Sequence, residues 1–341
     1  MQNDLFSWYK KLWVGLGIGA ALCGAAHATP VLTVAGVTAG FTLSQFADQF
    51  PVSGCCGPLG IAFPGGGKVL VTDYPGNVRV FATDADGQHA PAAPVTQAYG
   101  NGNAVGLARV GNFIYMTQQT AGTVVRLNLD GTFNSFVVTG ISTATGIAAN
   151  PVTGKLYVSD CCSGSGIWIV DPVANSKVQF KTGSGYDGLS VSSDGLTLYA
   201  EFGGTIVGYR ISDGVQVFNS GGISGADGTE LGAGTLAGQI FVNTNSGELW
   251  EVELANPANK VLVVSGGTRG DFVTADPNGS LLFTQTSDIW RLTPAAGGCI
   301  GAACKPTGVP EPSSLALIAI ALLGLSRSTQ RRRFAAHLNN S

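Results

Sequence analysis

The residues best suited to chemistry are carboxylates placed beside glycines. Asp187 precedes Gly188, Asp227 precedes Gly228 with Glu230 just beyond, and Asp271 follows Gly270. Each opens a short segment of apolar and small residues. If those segments start around one axis, Asp187, Asp227, Glu230 and Asp271 present oxygen ligands to a hard cation such as Ca2+. The plainer reading is that Asp-Gly makes a turn. Both stand on sequence alone.

Cysteines form the second set. Cys23 lies in an apolar stretch near the N-terminus, which leaves Cys55, Cys56, Cys161, Cys162, Cys299 and Cys304. An even number favours disulfides in an exported chain. Their spacing is too irregular for a zinc site, and no histidine lies near them. Cys299 and Cys304 are expected to close a small ring. Adjacent cysteines have α-carbons about 3.8 Å apart across a trans peptide, below the usual disulfide range. A vicinal bond would make a rigid platform for a ligand; the alternatives are pairing elsewhere or free thiols.

Other catalytic sets are poorly represented. The three histidines are His27, His89 and His337, and His89 falls in the polar stretch Asp84 to His89. A lone loop histidine reads as solvated and does not supply a Ser-His-Asp or two-histidine site. Trp168, Trp250 and Trp290 recur at similar phase, which indicates packing between neighbouring units. Tyr74, Tyr99 and Tyr186 fall in expected loops, where a sugar ring could stack.

The elements that must position these residues come from an internal repeat. Gly60, Gly106, Gly146, Gly188, Gly228 and Gly270 lead six similar segments, 46, 40, 42, 40 and 42 residues apart. Each unit reads as four strands. A Gly-apolar-small start is followed by a turn such as Ser193-Asp194-Gly195. A β-branched and aromatic strand follows, as in Leu156-Tyr157-Val158, then an alternating one, as in Ile167-Trp168-Ile169-Val170. A weaker fourth strand closes the unit, as in Val178-Gln179-Phe180. Four strands per unit of this length is the arithmetic of a β-propeller blade. Blade six lacks its fourth strand, and Phe41 to Phe46 is an orphan strand before blade one. The expected fold is therefore all-β, a six-bladed β-propeller in which the N-terminal strand completes blade six and removes an open sheet edge. On this topology both cysteine pairs and the aspartates share one loop face.

Composition bounds the partners. Charged residues are 11% of the chain, glycines number 50 and the net charge is −3. Nothing basic is available to track phosphates, so nucleic acid is excluded as a partner.

The two ends carry addresses. Lys10 and Lys11 precede the apolar stretch Leu12 to Ala26, which ends in Ala26-His27-Ala28. This reads as a secretory signal peptide, residues 1–28. The propeller is expected over 29–298 and a linker over 299–308. At the other end stand Val309, Pro310, Glu311 and Pro312, then the apolar run Leu315 to Leu325, then Arg327, Arg331, Arg332 and Arg333, with a short tail over 334–341. The run is shorter than the roughly 20 residues a bilayer core requires, and a basic block holds its end on the cytoplasmic side.

Residues 309–333 resemble the PEP-CTERM sorting signal of Gram-negative bacteria that make extracellular polysaccharide. The resemblance implies recognition by an exosortase-type membrane enzyme near Pro310-Glu311-Pro312. The apolar helix would enter the membrane transiently and the tail would be removed. The repeat units resemble the NHL and gluconolactonase/regucalcin group of propellers, chiefly in "GLSVSSDGLTLYAEF" and "GKLYVSD". That group holds a metal at positions which Asp187 and Asp227 resemble. Blade one departs from it, because Pro58-Leu59-Gly60-Ile61 offers no acidic ligand.

Together these features predict an exported binding or structural module at the cell surface or in the extracellular matrix, with polysaccharide or a surface protein as partner. The runner-up is a metal-dependent, lactonase-like hydrolase or lyase using Asp187, Asp227 and Asp271. A third is a scaffold with no small-molecule ligand.

Overall fold

The computed structural model describes residues 28–162 and 164–301. The expected signal helix, Cys304, most of the linker and the 309–333 sorting helix lie outside the described residues.

Six antiparallel sheets form a ring. Blade one is built from Pro58–Gly65, Lys68–Asp73, Asn77–Phe81 and Val95–Ala98. Blades two to five repeat the meander from Leu107–Val110, Ala144–Ala149, Tyr186–Val191 and Ala226–Gly234 as inner strands. Blade six supplies Val273–Ala275, Leu281–Thr284 and Ile289–Thr293, and its fourth strand is Thr42–Asp48, which pairs antiparallel with Ile289–Thr293. The N-terminal closure expected from sequence is present.

Six apolar cores lie between successive blades, one per interface. Leu70 and Val78 of blade one meet Ile114 and Met116 of blade two, for example. The closing interface packs Phe46 and Phe50 of the N-terminal segment with Ile61 and Phe81 of blade one and Leu282 and Ile289 of blade six. Trp168, Trp250 and Trp290 each pack against such an inter-blade core, as their phase implied.

Glycine at the head of an inner strand is required by crowding at the axis. A Cβ on Gly188 would stand 2.3 Å from the Asp227 carbonyl oxygen, and one on Gly146 would stand 2.2 Å from that of Asp187. In blades one, two, three and six a second-strand hydroxyl binds the head of the inner strand. Thr72 Oγ1 accepts from Gly60 N–H at 2.8 Å and donates to the Val105 carbonyl at 2.5 Å. Thr117 does the same between Gly106 and Thr145, at 2.8 and 2.6 Å. We expect Gly188→Ala to lose about 2–3 kcal/mol in urea unfolding, the overpacking range. Gly222→Ala has nothing within 4 Å of the new Cβ; it should stay within about 0.5 kcal/mol of wild type.

Blade six corrects the repeat reading. Thr284 Oγ1, the counterpart of Thr72, accepts from Phe272 N–H at 2.9 Å, so Phe272 and not Gly270 heads that inner strand. Gly270 instead makes room for the Asn243 amide, 2.4 Å from where a Cβ would lie.

Three short additions decorate the ring. Val31–Leu32 pairs with the outer strand of blade five, and a helix, Val34–Thr38, follows it. Gln88–His89 pairs in parallel with Ala47–Asp48, strapping a blade-one loop over blade six. Gly298–Ile300 pairs with Gly232–Gly234, the lower end of the blade-five inner strand. The last described residues therefore sit on the face opposite the loops that enter the inner strands.

Candidate functional site

One residue per blade stands immediately before the head of each inner strand. In ring order these are Leu59, Val105, Thr145, Asp187, Asp227 and Asp271. The channel mouth is therefore apolar on one side and carboxylate on the other.

On the apolar side Leu59 and Val105 pack with Cys56, and Tyr74 and Phe272 lie against them, half-buried. On the acidic side the charges are concentrated against one cation. Arg269 donates to Asp271 Oδ1 through Nε at 3.0 Å and Nη2 at 2.5 Å, and its Nη2 lies 4.0 Å from Asp227 Oδ2. Asp187 Oδ1, Asp227 Oδ1 and Asn243 Oδ1 are buried without a hydrogen-bond partner. Unpaired buried acceptors are uncommon in folded proteins and call for a donor.

Burial raises these acids. The Asp187 carboxyl is pushed up to about 8 by desolvation, then by the charges of Asp271 and Glu201, with Arg269 pulling the other way. Asp227 is held well above the carboxylate range by burial and by Asp187 and Asp271. Asp271 is raised by burial, which Arg269 offsets only in part. Glu201, at the end of the blade-four second strand, is pushed up to about 7 by burial.

The expected cation cage is not assembled. Among the described residues no three His, Cys, Asp or Glu side chains converge to hold a metal. Asp271 is engaged by Arg269, a cation the chain supplies itself. Glu230 lies three residues below Asp227, about 10 Å along an extended strand. Its Oε1 accepts from Leu231 N–H and its Oε2 from Ala275 N–H. It lines, with Arg109, a cavity of about 250 Å3 further down the channel. Burial raises its carboxyl too. Asp187, Asp227 and Asp271 are thus brought together and Glu230 is not.

Both adjacent cysteine pairs lie on the loop face and are drawn as vicinal bonds, Cys55–Cys56 and Cys161–Cys162. Cys56 and Cys161 are buried, whereas Cys55 and Cys162 are exposed. Asp160 pins the second loop. It accepts from Thr143 N–H at 2.7 Å and Ser165 N–H at 3.1 Å. Burial pushes its carboxyl upward, and these hydrogen bonds outweigh that and hold it low.

Of the tyrosines, Tyr74 and Tyr99 are in loops as expected. Tyr186 is not: it opens the blade-four inner strand, is 3% exposed and shares a 3.0 Å hydrogen bond with Tyr209. It offers no sugar-stacking surface. His89 is exposed, but Asp48 Oδ1 lies 2.5 Å from its Nδ1, so it fastens the strap instead of standing free. Arg269 and Glu201 were not foreseen. A signal for Glu201 exists, since it aligns with Thr72, Thr117, Ser159, Asn243 and Thr284 near second-strand ends and is the acidic member of that set.

Fold and mouth define the class: the chain is an all-β, six-bladed propeller. It carries at residues 308–333 the PEP-CTERM protein-sorting motif, which implies export and processing by an exosortase-type enzyme. No curated protein matches the chain. Among solved structures it is similar to a gluconolactonase from Xanthomonas campestris, at 16% identity and TM-score 0.59, over 78% of this chain and 95% of that one. Virginiamycin B lyase from Staphylococcus aureus gives 14% and 0.52, over 75% and 100%. A chain of a nidogen/laminin complex gives 12% and 0.53, over 69% and 97%. All three are less than a fifth identical to this chain, so the likeness speaks for the fold alone.

Proposed function

We propose that the protein is a surface or matrix binding module whose ligand, a hydroxyl-rich stretch of extracellular polysaccharide, docks at the loop-face mouth. The supporting observation is the graded ring, with Leu59 and Val105 facing Asp187 and Asp227 across the channel. Sugar hydroxyls donate to the carboxylates of the mouth, of which Asp187 is half-buried and reachable from the loop face. The apolar face of the ring lies on Tyr74 and Phe272. Acids raised by burial are partly protonated near neutrality, so they also donate, and an uncharged saccharide suits them better than an anionic one. The tail leaves from the opposite face, which directs the mouth away from the membrane during processing.

The test is titration of the exported, processed protein with the polysaccharide and with neutral and uronate-containing oligosaccharides. Saturable binding of neutral glycans is expected, with Asp227→Leu weakening it at least about tenfold, because a site built for hydroxyls loses its acceptor. Absence of saccharide binding, or unchanged binding by the variant, overturns the reading and leaves a scaffold.

A second reading is a lactonase-like hydrolase or lyase. Asp187 at about 8 and Glu201 at about 7 lie where a general acid and base work at neutral pH. A metal-dependent version does not fit, because Arg269 already holds Asp271. Turnover of a lactone or glycan that is lost in Asp187→Asn would select this reading.

A further inference from the structure

The two vicinal cysteine pairs are alike in sequence and unlike in surroundings. Cys56 packs into the apolar cluster with Leu59 and Val105. Cys161 Sγ lies 3.5 Å from Asp187 Oδ2, on the acid whose other oxygen has no partner. Cys161 is 6% exposed, while Cys162 is open to solvent and holds a positive φ of 66°. The pair therefore offers one sulfur to an incoming nucleophile and keeps the other against a buried acid.

We infer that Cys161–Cys162 is a redox-active disulfide that exchanges with small thiols, and that Asp187 serves as its proton donor and acceptor. The step follows from exposure. A thiolate attacks Cys162 Sγ and forms a mixed disulfide; the electron pair of the Cys161–Cys162 bond passes to Cys161 Sγ. That sulfur takes the Asp187 proton across the 3.5 Å contact and becomes a thiol, leaving a carboxylate that regains a proton from water. A second thiolate then attacks the external sulfur of the mixed disulfide and releases Cys162, which is protonated by solvent. Two thiols become one disulfide and the vicinal bond becomes a dithiol. An external disulfide reverses the sequence.

The groups facing Asp187 set its proton affinity. Asp271, Asp227 and Glu201 favour the protonated acid, and Arg269 opposes them. Below its midpoint the acid delivers a proton to the leaving sulfur. Above it, a carboxylate stands against a developing thiolate and slows departure. The inference goes beyond glycan binding and stands whether or not the mouth holds a sugar.

The experiment uses the exported, processed protein with dithiothreitol as probe. Samples are quenched by alkylation, and the peptides carrying Cys55–Cys56 and Cys161–Cys162 are followed separately by mass spectrometry. Cys161–Cys162 should open at least about ten times faster than Cys55–Cys56, since leaving-group protonation and access both favour it. Its rate per thiolate should fall about tenfold between about pH 6 and pH 9, as Asp187 ionises. In Asp187→Asn the same profile should be flat, with the folded state checked by circular dichroism. Equal opening of the two pairs, a flat wild-type profile, or peptides in which Cys161 and Cys162 are not joined to each other overturns the proposal. The wild-type profile decides even if the variant fails to fold.

Discussion

Replacing Arg291 by alanine should destabilise the propeller by about 3–5 kcal/mol, because it strips one cation from a buried cluster and leaves its carboxylates unpaired. Arg291 lies in the third strand of blade six with its side chain 6% exposed. Its Nη2 reaches Asp84 Oδ1 at 2.6 Å, its Nε reaches Asp86 Oδ1 at 2.8 Å, and its Nη1 bonds Asp276 and, at 2.7 Å, Ser280 Oγ. The guanidinium also covers the ring of Phe46 on the closing strand. Asp86 in turn accepts from Ser44 Oγ of that strand at 2.6 Å. One side chain thus fastens the N-terminal strand, the blade-one strap and blade six. Burial, eased by Arg291 and reinforced by Asp276, already pushes Asp84 up to about 6. Without Arg291 these acids neutralise more readily, so the deficit should be smaller near pH 5 than near pH 8. Arg291→Lys should rescue little, since a point charge cannot bond three carboxylates in different directions. Arg210→Ala is the control: its pair with Asp213 is exposed on both sides, and such pairs contribute about 0–1 kcal/mol. An Arg291→Ala protein that unfolds at the wild-type urea midpoint would refute the closure role.

Why was the ring legible in the sequence and the fastening not? Blade number, strand order and the N-terminal closure follow from local patterns: six glycine-led segments, alternating second and third strands, and one unpaired strand at each end. The strap is held by Asp84, Asp86 and His89 acting on residues far along the chain, and contacts of that kind leave no local periodicity. Blade six misled because Gly270 resembles a strand head, whereas its small size serves the Asn243 side chain. Tyr186 was misplaced because the strand begins two residues before Gly188, enough to turn an expected loop aromatic into a core one. The structure places the three aspartates at the channel mouth. Their meaning changed because Arg269, two residues before Asp271, folds back onto it. Charge type and spacing permitted either a metal cage or an internal ion pair, and the structure shows Arg269 paired with Asp271.

Burial, which the internal cation offsets only in part, makes the mouth a proton store, with a consequence for stability. Asp187 near 8, Glu201 near 7 and Asp227 well above the usual range all stand higher in the folded chain than in an unfolded one, where carboxyls titrate near about 4. The folded state therefore holds more protons across this window, and the associated stability is present in full below the unfolded values and lost as pH rises through the folded ones. Carboxyls with lowered values, such as Asp160, lose their contribution only in more acidic solution and leave the window untouched. Wild-type protein should be less stable at about pH 8.5 than at about pH 5.5, by on the order of 3 kcal/mol. Asp187→Asn combined with Asp227→Asn removes most of that slope. The double variant should match wild type near pH 5.5 and exceed it near pH 8.5 by on the order of 2 kcal/mol. Urea unfolding followed by tryptophan fluorescence at the two pH values measures this. Repeating it with calcium and with chelator asks the metal question in the same experiment, because a bound divalent cation would stabilise the ionised aspartates and reverse the slope. A wild-type profile that is level across the window, or a double variant that runs parallel to it, would mean that the buried acids at the mouth stay ionised and that the ring binds something other than an uncharged, hydroxyl-bearing ligand.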